Sequence, residues 1–411
     1  DPSTPGGRVG GDFPAFYGAG SIVLDGNIEN LYDSDVQKEA QAEILGGEDG
    51  YLPFAYPPPV AAFYAAFALL PYELAYLVHT ALMVSLVVWA YWILRPLLPV
   101  KRPPGIVVAA IAFTSVPMLG IAAGQNTGVL ILCLAATWKL GHDRRFWLAG
   151  VPLGVLLFKP QYAIPMVGLW LMRGRLQPGL TTLGAMSVWW LAGAWMMGTE
   201  WVAQWLSIVN DFTARDAVVN GHNSVSWLGM AEQHLGQGTT AALVVGGIGI
   251  VLTASILIVM WFRRSSTDLA LPMAAAAVGI LLTSPHAMMY DGAALAITFA
   301  GLARAGYPRL GRLAAFVWVV SATHPLLTRP IGTSPIALAV VGGFVVSVWY
   351  WYAVGRPAPE TAVAEVGPGP LPHADLSIVV PAYNEEGRIA PTMDRIRDWS
   401  STSGLRVEVL V

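Results

Sequence analysis

One carboxylate, three aromatic rings and a set of glycines share the stretch Gly10-Gly11-Asp12-Phe13-Pro14-Ala15-Phe16-Tyr17-Gly18-Ala19-Gly20. An aspartate at such a place can act as a general base, taking the proton of a hydroxyl nucleophile. Glycines let a substrate approach the backbone, and rings such as Tyr17 offer it a flat face. Further on, Lys159-Pro160-Gln161 interrupts an apolar run. An ammonium there can hold a phosphate and stabilise charge on it as a leaving group. Ser284-Pro285-His286-Ala287-Met288-Met289-Tyr290-Asp291 sets His286 and Asp291 in another break, where an imidazole can bond phosphate or orient a nucleophile. Gly124-Gln125-Asn126 and His222-Asn223-Ser224 offer neutral hydrogen bonds, and Arg329 offers a further cation for phosphate or for lipid headgroups. His286 and His222 lack metal-ligand spacing, so no metal is expected in this part of the chain.

The elements that must position these groups are apolar. Of 411 residues, 55% are hydrophobic and 12% charged, against about 25% charged in a soluble domain. Sixteen tryptophans fit the same class, an all-α polytopic membrane protein. A net charge of −3 gives no sign of nucleic-acid binding. Cys133 is the one cysteine and lies in an apolar run, so no internal disulfide can form.

Residues 1–71 read as an outer loop with an interfacial helix. Within it Asp33-Ser34-Asp35 offers an N-cap to an amphipathic helix over Val36–Leu45, closed by Gly46-Gly47. Tyr56 belongs to a rigid aromatic strip, and Pro57-Pro58-Pro59 predicts an extended entry to the bilayer. Val60–Leu70 is too short to span, because a span needs about 20 residues. Eleven spans follow over 72–97, 104–121, 126–140, 146–158, 162–173, 178–197, 239–262, 268–285, 288–304, 313–327 and 335–354. With these, the basic connections at Lys101-Arg102, 142–145, 173–175, Arg263-Arg264, 304–312 and Arg356 fall on one side, which is then cytoplasmic. The other side receives residues 1–71, a long loop over 198–237, and the breaks carrying Gln125, Asn126, Lys159, Gln161, His222, Asn223, His286, Asp291, His324 and Arg329. Ionisable groups at membrane depth are costly, so their gathering beside Asp12 marks a site.

Residues 356–375 have a linker composition, and 376–411 read as strand, helix and strand, the start of an α/β piece. The chain opens at Asp1 without a methionine and closes in an apolar run, so both ends read as cut, with a helix expected before residue 1 and an incomplete C-terminal domain.

The same residues also fit plain structural roles. Asp12 can be a turn aspartate, Lys159 a lysine snorkelling to headgroups, Ser284–Asp291 a kinked helix join, and Gln125 or Asn223 a turn or cap. A transporter or flippase of lipid-linked sugars would use Asp12, His286 and Lys159 as a coupling relay. It should show an internal repeat, and none is found. A scaffold that only anchors the C-terminal piece would have no use for the outer polar cluster.

Taken together, Gly11-Asp12-Phe13 with Tyr17, Tyr56-Pro57-Pro58-Pro59, Gly124-Gln125-Asn126, Phe158-Lys159-Pro160-Gln161, Asn223-Ser224 and Ser284-Pro285-His286 resemble glycosyltransferase family 87, over roughly residues 8–354. The resemblance implies a GT-C-like membrane enzyme of the cell membrane. It implies transfer of a sugar, mannose first, from a polyprenyl-phosphate donor to a lipid or glycolipid acceptor outside the cell, with inversion. Asp12 would be the base; Lys159, His286 and Arg329 would hold the donor phosphate. Tyr17, Tyr56, Gln125, Asn126, Gln161, His222, Asn223 and Asp291 would meet sugar or acceptor. The last 36 residues resemble the start of a family 2 glycosyltransferase through Ile378-Val379-Val380-Pro381-Ala382-Tyr383-Asn384-Glu385-Glu386. There Pro381, Tyr383 and Glu385 would match nucleotide-contacting positions. A divalent metal is implied only for the part of that domain beyond Val411.

Overall fold

The computed structural model describes residues 10–47, 51–99, 115–262, 268–355, 375–379 and 389–410. They form two compact units, Asp1–Trp351 and Tyr352–Val411.

The first unit is built from helices among its described residues. It begins with α1 (Phe13–Leu24), α2 (Ser34–Leu45), α3 (Pro58–Ala68) and α4 (Tyr72–Leu94). Residues 115–122 form α5. Then come α6 (Thr127–His142), α7 (Phe146–Val155), α8 (Pro160–Met172), α9 (Gln177–Met197), α10 (Trp201–Asn220), α11 (Trp227–Leu235), α12 (Thr240–Phe262), α13 (Ala270–Leu282), α14 (Leu295–Arg304), α15 (Leu310–Ile331) and α16 (Pro335–Gly355).

Three expectations change here. The Asp12 stretch is not a loop, because Phe13–Leu24 is a helix with Pro14 in its first turn, where a missing N–H costs nothing. Its glycines serve packing: a Cβ on Gly20 would strike the Tyr64 backbone of α3. Likewise Pro58 and Pro59 do not prolong an extended entry but open α3, with Pro57 ahead of it. Finally, the long loop over 198–237 is mostly helix, α10 and α11. The α2 boundaries follow the sequence. Asp33 accepts from the Asp35 and Val36 amides, and Gly46 ends the helix in the left-handed conformation.

Four helical stretches among the described residues are long and apolar enough to cross a membrane: Tyr72–Leu97, Thr240–Phe262, Leu310–Ile331 and Pro335–Val354. On α12, Val244, Val245, Ile248, Val251 and Leu252 stay exposed. A helix apolar on all faces and largely unburied belongs in lipid. Lipid tails are as apolar as leucine, so such helices associate through close packing and small residues. At the centre every residue of α13 is buried, five of its thirteen being alanine. Its small side chains let α14 approach until a Cβ on Gly301 would strike the Ala270 carbonyl. Trp170 and Trp261 meet edge to face at 5.3 Å, and the Trp261 indole N–H donates to the Pro272 carbonyl at 3.2 Å.

In the second unit β1 (Leu376–Val379) and β2 (Val407–Leu410) pair in parallel, Leu376 opposite Val407, with α17 (Ile389–Ser403) between them in the chain. Parallel strands need such a crossover.

Candidate active site

Asp12 is placed by backbone. Its amide donates to the Ala123 carbonyl at 2.9 Å, so residues 10–12 lie on the turn after α5. That approach requires glycine on both sides. Gly11 (φ +53°) and Gly124 (φ +71°) are left-handed, and a Cβ on Gly124 would strike the Gly10 carbonyl and Phe13. Asp12 stands at the N-cap of α1, yet its side chain makes no cap bond. Instead its Oδ2 accepts from the Gln125 side-chain amide at 2.7 Å. The Gln125 oxygen is 3.4 Å from the Tyr56 hydroxyl. Gly10–Asp12 and Gly124-Gln125-Asn126, far apart in sequence, are thus one structure.

Asn126 turns away from Asp12. Its side-chain oxygen accepts from the Tyr64 hydroxyl at 2.6 Å, and Tyr64 meets His79 Nε2 at 3.0 Å. Tyr64 and His79 are fully buried. Tyr17 is also taken up by the fold, its hydroxyl donating to the Leu70 carbonyl at 2.8 Å and its ring 5.3 Å edge-on to Tyr72.

Lys159 is placed by side chains. It ends the 3₁₀ turn Leu156–Phe158, just ahead of Pro160, which opens α8. Its ammonium is buried and donates to Asp291 Oδ1 at 2.7 Å. Asp291 Oδ2 accepts from the Met288 amide at 3.0 Å, so both its oxygens have partners. The Tyr290 ring lies 5.1 Å and the Tyr162 ring 5.8 Å from the ammonium. Gln161 is half-buried in the first turn of α8.

Tyr56 and Tyr290 link the two halves. Tyr56 stacks on Phe158, next to Lys159, with ring centroids 6.3 Å apart, while its hydroxyl faces Gln125. Both rings lie within electrostatic reach of Asp12 and Asp291.

His286 reaches the site through a strand-like contact. Val225 donates to the Ala287 carbonyl at 2.9 Å, and Ser224 bridges Met288. This holds His222-Asn223-Ser224 beside the 284–291 break. His286 Nε2 is 3.5 Å from Asp216 Oδ2 on α10, and its ring meets Phe212 edge-on at 5.6 Å. Enclosure keeps the His286 imidazole below its ordinary range, against the pull of Asp216 and Asp291. His222 is lowered as well, by enclosure first and then by the Arg329 charge, with Asp216 opposing. Arg329 is exposed near the end of α15 and faces His222. His324, also on α15, accepts from or donates to Thr328 and Ser334 at 3.0 and 3.1 Å.

Asp216 is not among the sequence candidates, because the polar stretch 198–237 reads as loop, and neither are Tyr290 and Tyr162. The absence of any proline or glycine between Glu200 and Asn220 was the available signal for α10. Pro381, Tyr383 and Glu385 lie outside the described residues. Among the described residues no group of three or more His, Cys, Asp or Glu side chains is arranged to hold a metal ion.

The arrangement gathers the Asp12 carboxylate and the buried Lys159–Asp291 pair around Tyr56 and Tyr290. Residues 54–285, more than half of the chain, match glycosyltransferase family 87. The chain belongs to that family and is a membrane glycosyltransferase. No curated protein and no solved structure matches it significantly.

Proposed function

We propose that the enzyme moves a sugar, mannose first, from a polyprenyl-phosphate donor to a hydroxyl of a lipid or glycolipid acceptor, with inversion, on the extracytoplasmic face of the cell membrane. In this reading the apolar helices make about eleven passes, with the basic connections on the cytoplasmic side. Asp12 takes the proton of the acceptor hydroxyl. The oxygen attacks the anomeric carbon, the bond from that carbon to the phosphate oxygen breaks, and the polyprenyl phosphate leaves as an anion. Lys159 is the cation nearest that charge, held in place by Asp291. His286, neutral in its enclosed position, donates an N–H to the phosphate. Lysine chemistry in a low-dielectric site suffices to stabilise such a leaving group, so this reading uses no metal in the membrane domain.

The observation that carries the reading is the Asp12 carboxylate. It accepts from Gln125, its backbone amide is held by the Ala123 carbonyl, and Tyr56 and Tyr290 lie near both it and Asp291 of the Lys159–Asp291 pair. Arg329 bears on His222 and is better placed for headgroups than for the donor phosphate. The second unit, with its strand–helix–strand order, fits a cytoplasmic nucleotide-sugar domain of family 2 that would load the lipid carrier.

The test is transfer by the protein in vesicles supplied with radiolabelled polyprenyl-phosphate mannose, polyprenyl-phosphate glucose or a nucleotide-linked mannose. Transfer from a lipid-linked donor alone, with the product's anomeric configuration inverted by NMR, is expected. Transfer from the nucleotide donor at an equal rate contradicts the reading.

A further inference from the structure

A cleft of about 1010 Å³ opens between the chain after α1, the strip around Tyr51, and one face of α10. The residues that α10 gives it, from Gln204 to Arg215, recur at helical spacing, so a single face forms this wall. The same helix bounds the active site. Phe212 lines the cleft while its ring touches His286, and Asp216, one turn on, is 3.5 Å from that imidazole. Phe212 is therefore a wall shared by the cleft and the His286 side of the candidate site.

The lining selects a chemical class. Asp33 caps α2, and Asp35 pairs with Lys38. Glu29 and Asp211 make no side-chain hydrogen bond or ion pair among the described residues and are exposed to the cleft. They can accept from hydroxyls, and with Asp33 and Asp35 they outnumber the two cations of the lining, Lys38 and Arg215, so the cleft is net acidic and disfavours phosphate. Ser207 adds a hydroxyl. Tyr51, with Lys38 and Arg215 each 5.6 Å from its ring, and Phe212 add aromatic surface to the wall, against which the C–H side of a sugar can pack. An acyl chain would bury these polar groups without partners. The volume lies at the upper end of the roughly 300–1,000 Å³ usual for small-molecule sites, more than one sugar needs.

We infer that this cleft binds a neutral, polyhydroxylated glycan chain carried by the acceptor, several sugar residues long, and holds it alongside the candidate site at Phe212. The inference rests on the proposed function for the meaning of the bound glycan, but not for the binding itself.

Two measurements test it, on the whole protein in lipid nanodiscs. The first titrates mannotetraose, with inorganic phosphate as the anionic comparison, against the parent, Tyr51→Ala and Asp211→Asn. Binding of the tetrasaccharide in about the millimolar range, about tenfold weaker in each variant, and no binding of phosphate are expected. Failure of the parent to bind the tetrasaccharide, or binding unchanged in both variants, overturns the inference. The second compares transfer to alkyl mannoside and alkyl mannotetraoside acceptors. The ratio of kcat/KM for the long over the short acceptor should fall about tenfold in each variant through KM. An unchanged ratio overturns the inference. Absence of all transfer by the parent counts against the proposed function, and the titration still decides the cleft.

Discussion

Asp12 and Lys159 both lie near Tyr56 and Tyr290 and are positioned by different means. Asp12 is placed by backbone: three left-handed glycines, Gly10, Gly11 and Gly124, and an amide on the Ala123 carbonyl, with a side-chain bond from Gln125. Lys159 is placed by charge, in a buried ion pair with Asp291 flanked by aromatic rings. Geometry set by backbone tolerates loss of a side chain but not gain of one. Geometry set by a buried pair tolerates neutralising both partners but not one, because the survivor is left as an uncompensated charge.

The largest effect should follow from breaking the pair. Lys159→Ala is expected to lower stability by about 3–5 kcal/mol, read as thermal unfolding in detergent. The double variant Lys159→Met with Asp291→Asn should recover most of that stability yet remain without transfer. Recovery of transfer would show that the lysine acts only structurally.

Next in size is Gly124→Ala, which forces a left-handed alanine against Gly10 and Phe13. It should lose about 2–5 kcal/mol from backbone strain and overpacking together, with transfer falling in parallel. Gly26→Ala is the control, since Gly26 is also left-handed but has open space where the Cβ would go, so it should lose only about 1–2 kcal/mol. Equal losses at the two sites would mean that docking of the Asp12 turn contributes nothing beyond local strain.

Gln125→Ala should leave the fold near parental stability and lower kcat about tenfold, worth about 1.4 kcal/mol at the transition state. A change confined to KM would place Gln125 with the substrate rather than with Asp12.

The smallest effect is that of pH. His286 and His222 lie below their ordinary range when folded, so between the folded and unfolded values the unfolded chain binds more protons. Stability is therefore full above the unfolded value near 6.5 and falls as pH drops below it. His286→Gln should flatten the decline in Tm between pH 7 and 5, and an unaltered slope would assign the acid sensitivity elsewhere.

Much of the helical order was legible, because apolar runs punctuated by proline and glycine set helix ends with little tertiary help. The α2 cap and its Gly46 stop are examples. Where composition misled, tertiary use of a residue differed from its common one. Gly18 and Gly20 read as loop but serve close helix packing, and Pro58-Pro59 read as extended but begin α3. The amphipathic α10 carries too many polar residues to resemble a span and reads as loop, which hides Asp216. Individual candidates at Asp12, Gln125, Lys159, His286 and Asp291 were visible as polar groups out of place. Their partners were not: the Gln125–Asp12 and Lys159–Asp291 contacts join residues more than a hundred positions apart. Nothing local in a sequence specifies such pairs.

The most direct test of the base assignment compares transfer from polyprenyl-phosphate mannose by the parent and by Asp12→Asn. The asparagine keeps the side chain's size but cannot take the acceptor proton. Transfer should fall by about 10²–10⁴-fold with thermal stability near the parent's. Equal transfer by a well-folded variant would remove Asp12 from the chemistry and contradict the account.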